Sequence, residues 1–230
     1  MLRLIISNCR PFAQSEKYMG CQLFAIESWL QVSHQVVLCN DPAEASVAWV
    51  TYRTSARQPP AIDWLVETAL REVQGDAAPI AIVNADIILD PVLDRLADAV
   101  FQHKPSRLWA VMTKRLTYRP DEGPAAAFVD PLDNGLDFFC ASRATWEKML
   151  PEIPPVLTLG RTKWDSWVNS WFHARISADY YDITDWHALR HPVHEASPLA
   201  DYDLIAPIPY LMECGMAPNH LPFPANENPN

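Results

Sequence analysis

Short continuous apolar runs alternate with longer stretches whose apolar residues recur every three or four positions. That alternation sets the expected elements. Residues 2–7 and 35–39 read as strands, with 22–30 as a helix between them and 47–52 as a third, short strand. Residues 61–73 give the clearest helix, because Ile62, Leu65, Val66, Ala69, Leu70 and Val73 fall on one face. The run Ile80-Ala81-Ile82-Val83 reads as a strand buried on both sides, the habit of a parallel sheet. Asp90-Pro91 supplies a cap and a first-turn proline for a helix through Phe101. Further on, 107–113 and 136–141 read as strands, 144–150 as a short helix, 164–173 as a helix with three tryptophans and 180–183 as a last strand. The βαβα rhythm predicts an α/β fold with a mixed, mostly parallel sheet flanked by helices. From about residue 197 prolines are frequent and periodicity is lost. The expected organisation is therefore one domain over 1–196 and a Pro-rich irregular tail over 197–230.

Bulk composition narrows the class without naming it. The 230 residues suffice for a full core, and 49% apolar with 20% charged residues is ordinary for a globular protein. No stretch is long and apolar enough for a membrane span. The five cysteines are odd in number and lack CxxC spacing, which predicts reduced thiols and a cytoplasmic location. A formal charge of −10 argues against a duplex nucleic-acid footprint, although it leaves room for a local basic pocket. Nine tryptophans offer stacking faces for sugar rings, but core packing accounts for most of them.

Three segments carry candidate chemistry. The strand 80–83 runs into Asn84 and Asp86, which share a side if the chain stays extended. Ligands of open α/β sheets bind at the carboxyl ends of strands, and a carboxylate there suits a hard cation shared with phosphate oxygens. The plainer role for such an Asp is a turn or helix cap. In Gly160-Arg161-Thr162-Lys163-Trp164-Asp165, two cations stand near a helix start, a place that suits anions. The same stretch also reads as a capped helix with Trp164, Trp167 and Trp171 in the core. Finally, His187, His191 and His194 lie within eight positions. A zinc pair on a helix is disfavoured because Pro192 breaks the helix, whereas one histidine completing a site begun by Asp86 fits better.

Taken together, four blocks resemble a family of small glycosyltransferase-like proteins with the GT-A nucleotide-diphospho-sugar transferase fold. They are Pro11-Phe12 followed by Gln22 to Leu30; Val83-Asn84-Ala85-Asp86, similar to a DxD element with Asn first; Gly135-Leu136-Asp137 with Gly160-Arg161 and Trp164-Asp165-Ser166-Trp167; and Asp182-Ile183-Thr184 with His191 to His194. The blocks run from about residue 4 to 196. The chain departs from the family's pattern at Pro192-Val193 and Glu195-Ala196, where Gln-Asn and Asp-Tyr are usual.

The resemblance implies a metal-dependent transferase moving a sugar from a nucleotide-diphosphate sugar to a hydroxyl of a glycan or small acceptor. It places Asp86 on Mn²⁺ or Mg²⁺, with His194 or His191 as the distal ligand and His194 slightly preferred. Asn84 would contact the ribose or a metal-bound water, and Asn8, Arg10 and Pro11 in the loop after the first strand would contact the base or ribose. Arg161 or Lys163 would face the phosphates. Asp165 and Asp137 are the candidate acceptor-side carboxylates, one acting as general base if the enzyme inverts. Three other readings remain: a module that binds sugar or nucleotide sugar without turnover, a nucleotidyltransferase and a histidine-based metal hydrolase. The nucleotidyltransferase is disfavoured by the lack of glycine in Cys9-Arg10-Pro11-Phe12.

Overall fold

The computed structural model describes residues 1–9, 16–43, 46–56, 59–119, 121–128, 135–160, 164–192 and 218–223. Its strands are β1 (Leu4–Ser7), β2 (Val36–Leu38), β3 (Thr51–Tyr52), β4 (Pro79–Val83), β5 (Ile88–Leu89), β6 (Ala110–Met112), β7 (Leu116–Tyr118), β8 (Phe138–Ser142), β9 (Tyr180–Asp182), β10 (Leu189–Pro192) and β11 (Asn219–His220). Its helices are α1 (Glu16–Val32), α2 (Ile62–Glu72), α3 (Leu96–Gln102), α4 (Arg143–Met149) and α5 (Trp164–Ile176).

Eight strands form one sheet in the order β11-β9-β6-β8-β4-β1-β2-β3. Every pair in it is parallel except the two made by β8, which runs against β4 and β6. This is the mixed, mostly parallel α/β sheet expected from the alternation of elements. Side chains alternate across it as the period of two requires. Leu4, Ile6, Ile80 and Ile82 meet α2, α4 and α5 on one face, whereas Ile5, Ala81 and Val83 meet α1 and α3 on the other. The tryptophans serve these two layers: Trp29, Trp109, Trp146, Trp167 and Trp171 are fully buried, and Trp49 alone among the large exposed aromatics of that type faces solvent.

Asp90 caps the next helical segment as its sequence context predicts, its Oδ1 accepting from the Val92 N–H at 3.1 Å. The first turn there is 3₁₀ (Pro91–Arg95) and α3 follows it. The same carboxylate meets Arg190 Nη1 at 3.0 Å, so it ties two elements together. Asp90→Ala is expected to cost about 1–2 kcal/mol, mostly the cap, as read by urea unfolding. A loss below about 0.3 kcal/mol would show that the cap is not used.

Four strands escape the sequence reading: β11, and β5, β7 and β10, which form a second sheet in the order β5-β10-β7. Residues 218–223, inside the segment expected to be irregular tail, also join the fold. β11 pairs with β9, Leu221 is fully buried, and the Trp186 indole donates to the Leu221 carbonyl at 2.9 Å.

Candidate functional site at the carboxyl edge of the sheet

β1 and β4 lie side by side, while the chain leaves β1 outward to β2 and β3 and returns on the other flank to β4. That reversal of order is where open α/β sheets form a ligand crevice. Ser7 fastens the two strand ends, its Oγ donating to the Val83 carbonyl at 2.6 Å. The turn after β1 is held by Asn40, whose amide accepts from the Cys9 N–H and donates to the Cys9 carbonyl, each at 2.8 Å. Asn8 stands in this turn, and its buried Oδ1 finds no hydrogen-bond partner among the described residues. Arg10 and Pro11 lie outside the described residues, as do Arg161, Lys163 and His194.

The chain does not stay extended beyond β4. Ile87 N–H bonds back to the Asn84 carbonyl at 3.3 Å, closing a turn. Asn84 and Asp86 therefore go to different partners instead of sharing one side. Asn84 continues the ladder to β8, its N–H donating to the Asp137 carbonyl at 3.0 Å, and its side-chain amide donates to the Asp137 carboxylate. The other oxygen of that carboxylate accepts from Arg115, which the sequence reading missed. The signal was present: Arg115 follows the expected strand 107–113 by two residues, so it falls at the same carboxyl edge.

Asp86 faces β10. Leu189 pairs with Leu89 and Arg190 with Ile88 in antiparallel register, and one further step sets His191 beside the Asp86 turn. His191 Nε2 lies 3.6 Å from Asp86 Oδ2, with the two side chains only 10% and 20% exposed. The block containing Ser28 and Trp29 fixes this turn from α1: the Trp29 indole donates to the Ile87 carbonyl at 2.7 Å, and Ser28 Oγ accepts from the Leu89 N–H at 2.9 Å. Asp182 and Thr184 prove to be a turn device. Asp182 accepts from the Thr184 N–H at 2.7 Å, and Thr184 Oγ1 accepts from the Lys114 N–H at 3.1 Å, which draws the ends of β9 and β6 together. Asp165 stands half-buried in the first turn of α5, where its charge complements the helix dipole. Just before that helix, Gly160 adopts φ +70°, and a Cβ there would lie 3.7 Å from Asn84 Oδ1.

Among the described residues no three His, Cys, Asp or Glu side chains form a ready metal cage. Asp86 and His191 do fit two neighbouring positions on one cation, since ligand atoms about 2.1 Å from an ion stand roughly 3–3.5 Å apart.

Burial, with the Asp86 charge adding to it, pushes the Cys9 thiol up to about 12. Burial raises Cys39, Cys140 and Tyr118 in the same sense. The native state thus keeps protons that the unfolded chain releases above its ordinary thiol value of 9.0. These groups stabilise fully below that pH, and their contribution fades as pH rises toward 12. Melting temperature is expected to fall between pH 8 and pH 10 and to fall less steeply in Cys9→Ala. A flat profile in the wild type would contradict the burial of these groups.

No protein-family model and no curated protein matches the chain. Among solved structures, one described as a hypothetical transferase from Thermus thermophilus superposes with a TM-score of 0.37 and 13% identity, over 66% of this chain and 70% of that one. That likeness is too loose to bear on reaction or substrate. Among the described residues no helix is long and apolar enough to cross a membrane.

Proposed function

We propose that this protein is a glycosyltransferase of the GT-A type, moving a sugar from a nucleotide-diphosphate sugar to a hydroxyl acceptor with Mn²⁺ or Mg²⁺. The observation that carries the reading is the Asp86–His191 pair, 3.6 Å apart just past the end of β4, where the strand order reverses between β1 and β4. One carboxylate and one imidazole leave most of a cation's positions to phosphate oxygens and water, as nucleotide-binding Mg²⁺ and Mn²⁺ sites require. When bound, the cation would offset the charge that develops on the departing nucleotide diphosphate.

The protein's own groups divide the remaining work. Asn8, whose Oδ1 has no partner among the described residues, offers an acceptor just past the end of β1, suited to a hydroxyl or ring N–H of the nucleoside. Asp137 has one oxygen on Asn84 and the other on Arg115, so it serves this reading as a positioning group. Asp165 keeps the general-base role on the acceptor hydroxyl. Arg161 or Lys163 remains the phosphate-facing cation of this proposal, and His191 takes the distal metal position for which His194 was the alternative.

The test is a thermal-shift screen of UDP-, GDP-, CMP- and dTDP-sugars, with and without Mn²⁺. A shift for one nucleotide that needs Mn²⁺ supports the reading and names the donor class. Cooperative melting with no shift for any donor would sink it.

A further inference from the structure

The carboxyl edge holds a second constellation that the metal pair does not use. Arg115, Asp137 and Asn84 come from the ends of β6, β8 and β4, three adjacent strands. Arg115 donates to one oxygen of Asp137, and Asn84 Nδ2 donates to the other. An ionised carboxylate only accepts, so Asp137 dictates which way the Asn84 amide is turned. The amide nitrogen is taken by Asp137, and Oδ1 is left toward the Gly160 turn.

Gly135 makes room for this arrangement. A Cβ at that position would lie 2.5 Å from Arg115 Cζ, 2.8 Å from Nη2 and 2.9 Å from Nε. Any larger residue must push the guanidinium off its seat. The Arg115 and Asp137 side chains are 17% and 9% exposed, so water screens the pair poorly. Its geometry is thus fixed by packing below and by charge above.

We propose that Arg115, seated on Gly135, is a positioning residue that orients Asn84 through Asp137, so that Asn84 presents a carbonyl acceptor at the crevice. The Gly135-x-Asp137 block then has a physical reason: the glycine admits the guanidinium and the aspartate relays it. The value of the relay to ligand binding rests on the proposed function, but the relay itself does not.

The test reads the Asn84 side-chain amide directly. Its ¹H–¹⁵N resonances, identified by their loss in Asn84→Ser, are expected far from the free-amide position and slow to exchange with water. Gly135→Ala alters no charge, and by displacing Arg115 it should turn the Asp137 carboxylate and so shift the Asn84 resonances away from their wild-type position while the backbone spectrum stays native. Arg115→Met should do the same, and Arg115→Lys should restore part of the shift. Unchanged Asn84 resonances in Gly135→Ala would overturn the relay, and Arg115→Met gives an independent check of the same point. Calorimetric titration of UDP and GDP with Mg²⁺ separates the two ideas. About tenfold weaker binding by Gly135→Ala than by wild type supports a relay that serves the site. Equal affinity overturns that role, whereas no binding even by wild type counts against the proposed function and leaves the amide spectra to decide the relay.

Discussion

Arg115→Met is expected to lower folding stability by about 3–5 kcal/mol, because it strands the Asp137 carboxylate in a site that excludes water. With Asp137 only 9% exposed, little solvent is available to replace the guanidinium. For a chain of this length that loss corresponds to a fall in melting temperature of roughly 6–20 °C. The reverse truncation is gentler. Asp137→Asn keeps an acceptor for Asn84, and the long Arg115 side chain, 17% exposed, can carry its charge outward. The double variant Arg115→Met/Asp137→Asn should therefore be more stable than Arg115→Met alone, since no uncompensated carboxylate remains. Chemical unfolding of the four proteins gives the coupling directly. If Arg115→Met costs under about 1 kcal/mol, the pair is behaving as a screened surface contact and its buried character is wrong.

The strand-and-helix alternation was readable because each long element buries a face of regular period. Ile62, Leu65, Val66 and Ala69 of α2 all enter the core, as their spacing predicts. The direction of β8 was not readable. A run such as Phe138-Phe139-Cys140 is apolar on both sides whichever way it points, and only the pairing partners set its sense. The small sheet was hidden for other reasons. β5 has two residues, too few for a period. β10 carries Arg190, His191 and Pro192, residues that weaken a strand reading, and the proline is tolerated because it sits at the strand's end.

The candidate site was legible in part for the same physical reasons. Asn84 and Asp86 follow an apolar run, and the edge position of both could be read from that run. Their divergence could not, because it depends on one turn hydrogen bond from Ile87 to Asn84. The meeting of Asp86 with His191 joins positions far apart in the chain through the β5–β10 register. Sequence spacing alone grouped His191 with His187 and His194. Lys114 and Arg115, just past the expected strand 107–113, carry no pattern of their own, and the role of Arg115 shows only once Asp137 is placed opposite it.

Asp86→Ala is expected to reduce the Mn²⁺-dependent nucleotide shift to about 1 °C, the largest effect on ligand binding that the site allows. Asp86 supplies the anionic half of a two-residue ligand set, and the neutral imidazole of His191 cannot replace that charge. At a ligand concentration of about 100 Kd, the wild type gains roughly 2.7 kcal/mol. That gain raises its melting temperature by about 5–10 °C. A hundredfold loss of affinity in the variant brings the gain at the same concentration down to about 0.4 kcal/mol, a shift near 1 °C. The comparison must use the ligand-induced shift rather than the absolute melting point, because removing Asp86 also takes a partner from His191 and changes the empty protein. His191→Ala should lose part of the shift while keeping the charge of Asp86. The order of effect, Asp86→Ala before His191→Ala before wild type, is what a shared cation requires. A full shift retained by Asp86→Ala, or a shift indifferent to Mn²⁺ in the wild type, would move the nucleotide elsewhere on the edge and leave Asp86 and His191 as a buried structural pair.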